Sequence, residues 1–170
     1  PMGAGRELFI AQRESIRLVP GFALDVREFA NSAVSGAGPA ALPDDAAIEL
    51  YRGEFLAGFS LPEAPRFEEW AGMQREALHC LALALLEKLW RRHSQAGDTA
   101  RALRLVLRHA ELEPWDEDVH RQAMLLYARN GQKAAALEQY EICRRNLQAE
   151  LGTEPARQTQ DLAARIRAGD

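Results

Sequence analysis

The sequence predicts an all-α protein, a helical repeat of antiparallel helix pairs with about seven helices and a short N-terminal β-hairpin. Apolar residues recur at helical spacing from Asp25 almost to the end. Glycines and prolines fall between those runs rather than inside them. Two stretches of the second half echo each other at a fixed interval.

The elements follow in order. Leu8 to Ala11 and Ser15 to Val19 are short β-prone runs separated by Gln12-Arg13-Glu14, the pattern of a small hairpin. Two strands alone are marginal in water, so the hairpin is expected to pair with something further upstream. Pro20-Gly21 breaks the pattern, and Asp25 can cap a helix over Val26 to Ala33. Ser35 to Pro39 reads as a loop, and Asp44 or Asp45 starts a short helix through Leu50 and Tyr51. Arg52 to Phe59 is turn-rich, yet it carries Phe55, Leu56 and Phe59, so it is expected to lie against the body. A long helix follows over about Arg66 to Gln95. Its apolar positions Phe67, Trp70, Met73, Ala77, Leu78, Leu81, Leu85 and Leu89 keep helical spacing, and Leu81 to Leu86 is apolar all round. Helices over about Thr99 to Leu112, Glu117 to Asn130, Gln132 to Leu151 and Pro155 to Ala168 complete the chain. Gly131 and Gly152 stand where a left-handed C-terminal residue is needed, and Pro155 suits a first helical turn. Glu87/Arg91, Glu117/Arg121 and Glu141/Arg145 have the stabilising i, i+4 order of solvated helix faces, about 0.3–0.5 kcal/mol each.

Gly97 and Gly131 are 34 residues apart (131 − 97), as are Ala102 and Ala136, Leu103 and Leu137, and Val106 and Tyr140. The glycine ends one helix and permits a tight turn, the alanine lets two backbones approach, and the larger residue fills the gap between helix pairs. Leu86, Leu89 and His93 complete the earlier unit; His120, Ala123, Met124 and Tyr127 complete the later one. Spacing and residue types resemble the tetratricopeptide repeat, with Pro114 at its terminating proline. Trp90 departs from that motif, which prefers a small residue there.

Composition excludes several functions. A net charge of −4 disfavours nucleic acid as the main partner of this segment. The basic groups Arg91-Arg92-His93, Arg101, Arg104, Arg108 and Arg144-Arg145 are better read as solvated helix faces than as a phosphate-binding surface. Cys80 and Cys143 sit in helical runs and read as buried apolar fillers. His79, His93, His109 and His120 have no metal-ligand spacing, and the acidic run from Glu111 to Asp118 reads as helix caps and a solvated turn. Ser60 and Ser94 lack a nucleophile elbow, and no phosphate-binding glycine loop is present. Neither catalysis nor a cofactor is expected. Leu81 to Leu86 is too short to span a bilayer, and no signal peptide is visible, so the expected compartment is the cytoplasm.

An ordered set of motifs then points to a family. Leu50-Tyr51-Arg52-Gly53-Glu54-Phe55-Leu56-Ala57-Gly58-Phe59 is followed by Phe67-Glu68-Glu69-Trp70 and Arg75-Glu76. Glu113-Pro114-Trp115-Asp116-Glu117, His120-Arg121-Gln122 and Met124-Leu125 come next. Gly131-Gln132, Ala135-Ala136-Leu137, Gln139-Tyr140 and Leu147 to Pro155 close the set. Over about Leu24 to Arg167 it resembles the bacterial transcriptional activator domain of SARP-type and larger multidomain regulators. The resemblance implies a winged-helix DNA-binding domain ahead of this one, with residues 1–20 as its end and 21–170 as the activator domain. It also implies contact with protein: a second copy, other domains of the same regulator, or RNA polymerase. DNA would be reached only through the missing N-terminal domain, and no membrane contact is expected. The expected contact surface is the concave face of the helix pairs, with Trp115, His120 and Tyr127 as candidate residues; Trp115 and Tyr127 also suit a core. The competing reading is a repeat-type sensor that takes a small ligand or peptide in its groove.

Overall fold

In a computed structural model, the described residues are 9–12, 15–18, 24–35 and 42–169. They contain seven α-helices and form two compact units, 1–53 and 54–170.

In the first unit, β1 (Phe9–Gln12) and β2 (Ser15–Leu18) pair antiparallel, with Phe9 opposite Leu18 and Gln12 opposite Ser15. Leu8, Val19, the Arg13-Glu14 turn, Pro20-Gly21 and the glycine-rich loop after Ser35 lie outside the described residues. Helix α1 (Asp25–Ser35) includes Asp25 as its first residue, whose carboxylate accepts from the Val26 N–H at 2.7 Å. Helix α2 (Asp44–Ala47) runs into a single 3₁₀ turn over Ile48–Leu50. Phe29, Ala47, Ile48 and Tyr51 are buried, and the rings of Phe29 and Tyr51 lie 5.5 Å apart.

The second unit opens with the expected turn-rich stretch packed on a helix. Arg75 draws it in: its guanidinium donates to the carbonyls of Phe55 at 3.0 Å and Phe59 at 3.3 Å. Phe55 meets Trp70 and Phe59 meets Phe67 edge to face. Helix α3 (Pro65–Gln95) follows, with α4 (Thr99–Leu112), α5 (Glu117–Arg129), α6 (Lys133–Leu151) and α7 (Arg157–Ala168). Each of α3 to α6 packs on the next, and α7 packs on both α5 and α6.

The expected apolar face of α3 is only partly buried. Trp70 and Met73 are exposed, and the buried stripe is Ala71, Leu78, Ala82, Leu85, Leu86, Leu89 and Trp90. Length explains the difference within this unit. At 1.5 Å per residue α4 is about 21 Å long and α3 about 46 Å, so α4 covers only part of α3. Ala84 is exposed, so the Leu81 to Leu86 run is not packed on every side.

The repeat is visible in the backbone. Gly97 and Gly131 have φ of +81° and +73°, a region that an L side chain rarely adopts. After each, an N–H reaches back five residues: Asp98 to the His93 carbonyl and Gln132 to the Tyr127 carbonyl, both 2.9 Å. These are the same bond 34 residues apart (132 − 98 and 127 − 93). Ala102 and Ala136 have no exposed surface, nor do Leu86 and Leu89 or the later Ala123 and Met124. The chain is thus an all-α helical repeat.

Helix α7 starts later than expected. Pro155 lies ahead of it, and the Ala156 N–H is bound by Glu117 of α5 at 2.9 Å. Glu117 also accepts from the Thr159 hydroxyl, to which Arg121 donates at 2.7 Å. Glu117 and Arg121 are therefore mostly buried and join two helices, rather than forming a solvated pair. Glu141 likewise pairs with Arg144, while Arg145 turns to the Glu141 carbonyl.

Candidate functional site

Helix α4 ends at Leu112, and the turn before α5 is tied down from several directions. Asp116 caps α5, accepting from the N–H groups of Asp118 at 2.9 Å and Val119 at 3.3 Å. Glu113 bonds His79 of α3 at 2.7 Å. The Pro114 carbonyl accepts from His120 Nε2 at 3.0 Å and from Asn146 of α6 at 3.2 Å. The acidic run is therefore more than a solvated turn: Glu113, Asp116 and Glu117 each hold a structural partner. Among the described residues no cluster of histidine, cysteine and carboxylates is arranged to hold a metal ion.

Trp115 rides on this fixed turn and keeps 46% of its surface exposed. Tyr127 is half-buried and packs against the cluster formed by Met124, Ala136, Leu162 and Ile166. His120 is only 1% exposed, which corrects its expected place on the contact surface. Both of its nitrogens are used. Nε2 donates to the Pro114 carbonyl, which can only accept, so Nδ1 is the bare nitrogen and accepts from Gln139 Nε2 at 2.7 Å. Burial lowers the His120 pKa from its ordinary 6.5, outweighing the Pro114 bond and the nearby Asp116 and Glu117. The ring is neutral at physiological pH, as the Gln139 bond requires.

His120 and Tyr127 form part of the floor of a groove between α4 and α6, about 430 Å³ in volume, which Leu107, Pro114 and Ile142 also line. Trp115 stands next to Pro114, just outside its lining. Gln139 and Asn146 were not anticipated as positioning residues. One of them had a signal: Ala136, Gln139, Cys143 and Leu147 form the buried stripe of α6 at intervals of three and four. A glutamine on such a stripe needs a buried partner.

The model of the bacterial transcriptional activator domain matches residues 24–167. The chain belongs to the bacterial transcriptional activator domain family. Comparison with curated proteins gives no match. The activator domain is a regulatory module of transcription, and its helices carry the repeat that the sequence predicted. No described helix of the activator domain is long and apolar enough to cross a membrane. Its two cysteines differ. Cys143 is buried, which pushes its thiol up to about 12, whereas Cys80 is exposed beside Glu76. The filler role expected of Cys80 is thus corrected: it lies on the uncovered side of α3. Several of the basic residues are matched by carboxylates, Arg91 by Glu87, Arg101 by Asp98 and Arg144 by Glu141.

Proposed function

We propose that this activator domain is the protein-contacting, oligomerising part of a bacterial transcriptional regulator. DNA readout would belong to a winged-helix domain outside this sequence. The observation that carries the reading is Trp115: a large aromatic side chain, nearly half exposed, on a turn held by His79, His120 and Asn146. A rigid exposed tryptophan loses little conformational entropy on docking and is the residue type most enriched at interface hot spots. The partner is a second copy, another domain of the regulator, or RNA polymerase, and the cytoplasm is the corresponding compartment.

Light scattering across a concentration series tests self-association. A concentration-dependent dimer whose dissociation constant rises about tenfold or more in Trp115→Ala supports it. A strict monomer directs attention to the other partners. If Trp115→Ala leaves both self-association and promoter activation by the full regulator unchanged, the reading fails.

The groove between α4 and α6 favours a second reading, a sensor for a small ligand or peptide. Its volume, about 430 Å³, falls in the range of small-molecule sites. A ligand that raises the melting temperature of the domain but not of a Tyr127→Ala variant would support that reading.

A further inference from the structure

Helix α3 packs on α4 and, across a second groove of about 530 Å³, faces α5. The first half of α3 runs ahead of that groove, whose lining starts at Leu83. There one side of the helix is uncovered and apolar. Trp70 and Met73 keep 43% and 58% of their surface, and Ala77, Cys80 and Ala84 are exposed after them, Ala84 at the lip of the groove. The intervals are three, four, three and four, the alternation of a coiled-coil seam. At about 100° per residue these positions fall within an arc of about 80°, away from the buried Ala71, Leu78, Ala82 and Leu85. Apolar side chains gathered on one exposed face mark an interaction surface, whereas scattered ones need no explanation.

The start of the seam is held in place. The rings of Phe55 and Phe67 lie 5.9 and 5.6 Å from that of Trp70, and Phe67 also supports the exposed Phe59. Side chains already fixed lose little freedom when they are covered.

Size and charge along α3 both indicate what covers this face. The seam is large at its start and small at its end. A second copy laid antiparallel, about a two-fold axis near Ala77, sets Trp70 and Met73 of each copy over Cys80 and Ala84 of the other. Small residues let two helix axes approach to about 8 Å. A parallel copy would set tryptophan on tryptophan and alanine on alanine, which packs poorly. Charge follows the same asymmetry. Residues 65–80 carry Glu68, Glu69 and Glu76 against Arg66 and Arg75, net −1. Residues 81–95 carry Lys88, Arg91 and Arg92 against Glu87, net +2. Antiparallel copies bring the acidic half onto the basic half at both ends, and parallel copies oppose like with like. Such a contact uses the same patch on both copies and closes at two.

We infer that the uncovered face of α3 from Trp70 to Ala84 is the interface between two antiparallel copies of this chain. The inference rests on the oligomerisation reading above and assigns it a surface separate from Trp115. One residue opposes the pairing. Glu76, 3.5 Å from Cys80, lies one position from the axis and approaches the Glu76 of the second copy.

The test uses the whole chain in sedimentation equilibrium from about 1 µM to about 1 mM. The expected result is a monomer–dimer equilibrium. Ala77→Glu and Ala84→Glu, at exposed positions, should each weaken it about tenfold or more with an unchanged circular dichroism spectrum. Glu76→Gln should tighten it about threefold, because it removes a like-charge contact. Orientation is read by cross-linking. In a Cys80→Ala background, chains carrying Met73→Cys are mixed with chains carrying Ala84→Cys and treated with a short bismaleimide; the buried Cys143 does not react. Unlike chains should be joined, whereas residue 84 should not join its own copy, about 21 Å away along the axis. A chain that stays monomeric to about 1 mM, a dimer that both glutamate variants leave intact, or residue 84 joined to itself overturns the inference. A dimer lost in Trp115→Ala and kept in Ala77→Glu overturns the α3 interface alone. A dimer lost in Ala77→Glu, with Trp115→Ala changing neither association nor promoter activation, supports the α3 interface and overturns only the Trp115 surface.

Discussion

The two grooves of the helical repeat are each floored by a buried histidine, and the two histidines are treated in opposite ways. Under the α4–α6 groove, His120 donates a hydrogen bond to the Pro114 carbonyl and accepts one from Gln139. Under the α3–α5 groove, His109 is equally secluded, yet its Nδ1 has no partner, and neither has the neighbouring Trp90 N–H. One groove therefore has a floor whose polar groups are paired within the chain, and the other has two buried polar atoms left unpaired. Complementary bonds made inside a fold stabilise it, whereas buried donors and acceptors left unmade lower stability.

Substitution can break that contrast. His120→Leu should cost most, about 2–4 kcal/mol in urea denaturation, because Gln139 and the Pro114 carbonyl both lose a buried bond. Gln139→Leu alone should cost about 1–3 kcal/mol, since it strands His120 Nδ1. The double variant should cost less than the sum, because the second change removes a group already stranded by the first. If the two effects simply add, the His120–Gln139 bond does not carry the floor.

Acid should sharpen the comparison. Burial is the first cause that lowers the pKa of both His109 and His120 from 6.5. The folded state keeps the rings neutral, while the unfolded chain binds protons as pH falls through about 6.5. Their contribution to stability is therefore present above that pH and lost below it. Melting temperature should drop between about pH 7.5 and 5.5, and the drop should shrink in His120→Leu and in His109→Leu. An unchanged slope in both variants would mean that other groups set the acid response.

The smallest effect belongs to the groove with unpaired atoms. Trp90→Phe removes a polar atom that has no bond to lose, so it should change stability by less than about 1 kcal/mol in the same denaturation experiment. A loss as large as that of His120→Leu would erase the distinction between the grooves.

Much of the architecture could be read from local chemistry. The boundaries of α3 to α6 agree with apolar spacing to within a residue, because glycines with positive φ and an aspartate cap end and start these helices. The start of α7 could not be read that way. A carboxylate 39 residues earlier, Glu117, takes the N–H that a local cap would have taken. Exposure along α3 was equally hidden, since period alone marks a face as apolar and only the length of the packed neighbour decides how much of it is covered. Of the three residues expected at the contact surface, Trp115 is exposed, Tyr127 is divided between groove and core, and His120 is buried.

The sequence by itself determined the helices, the ends of α3 to α6 and the 34-residue repeat. These depend on bonds that close within five residues and on backbone angles that single residues prefer. The tertiary structure alone decided which buried polar groups are satisfied. His109 and His120 both sit on helices beside carboxylates and cannot be told apart in the chain. The bonds that complete the surroundings of His120 come from Gln139 and Asn146, 19 residues beyond it and 32 beyond Pro114 respectively, on a helix that only folding brings near.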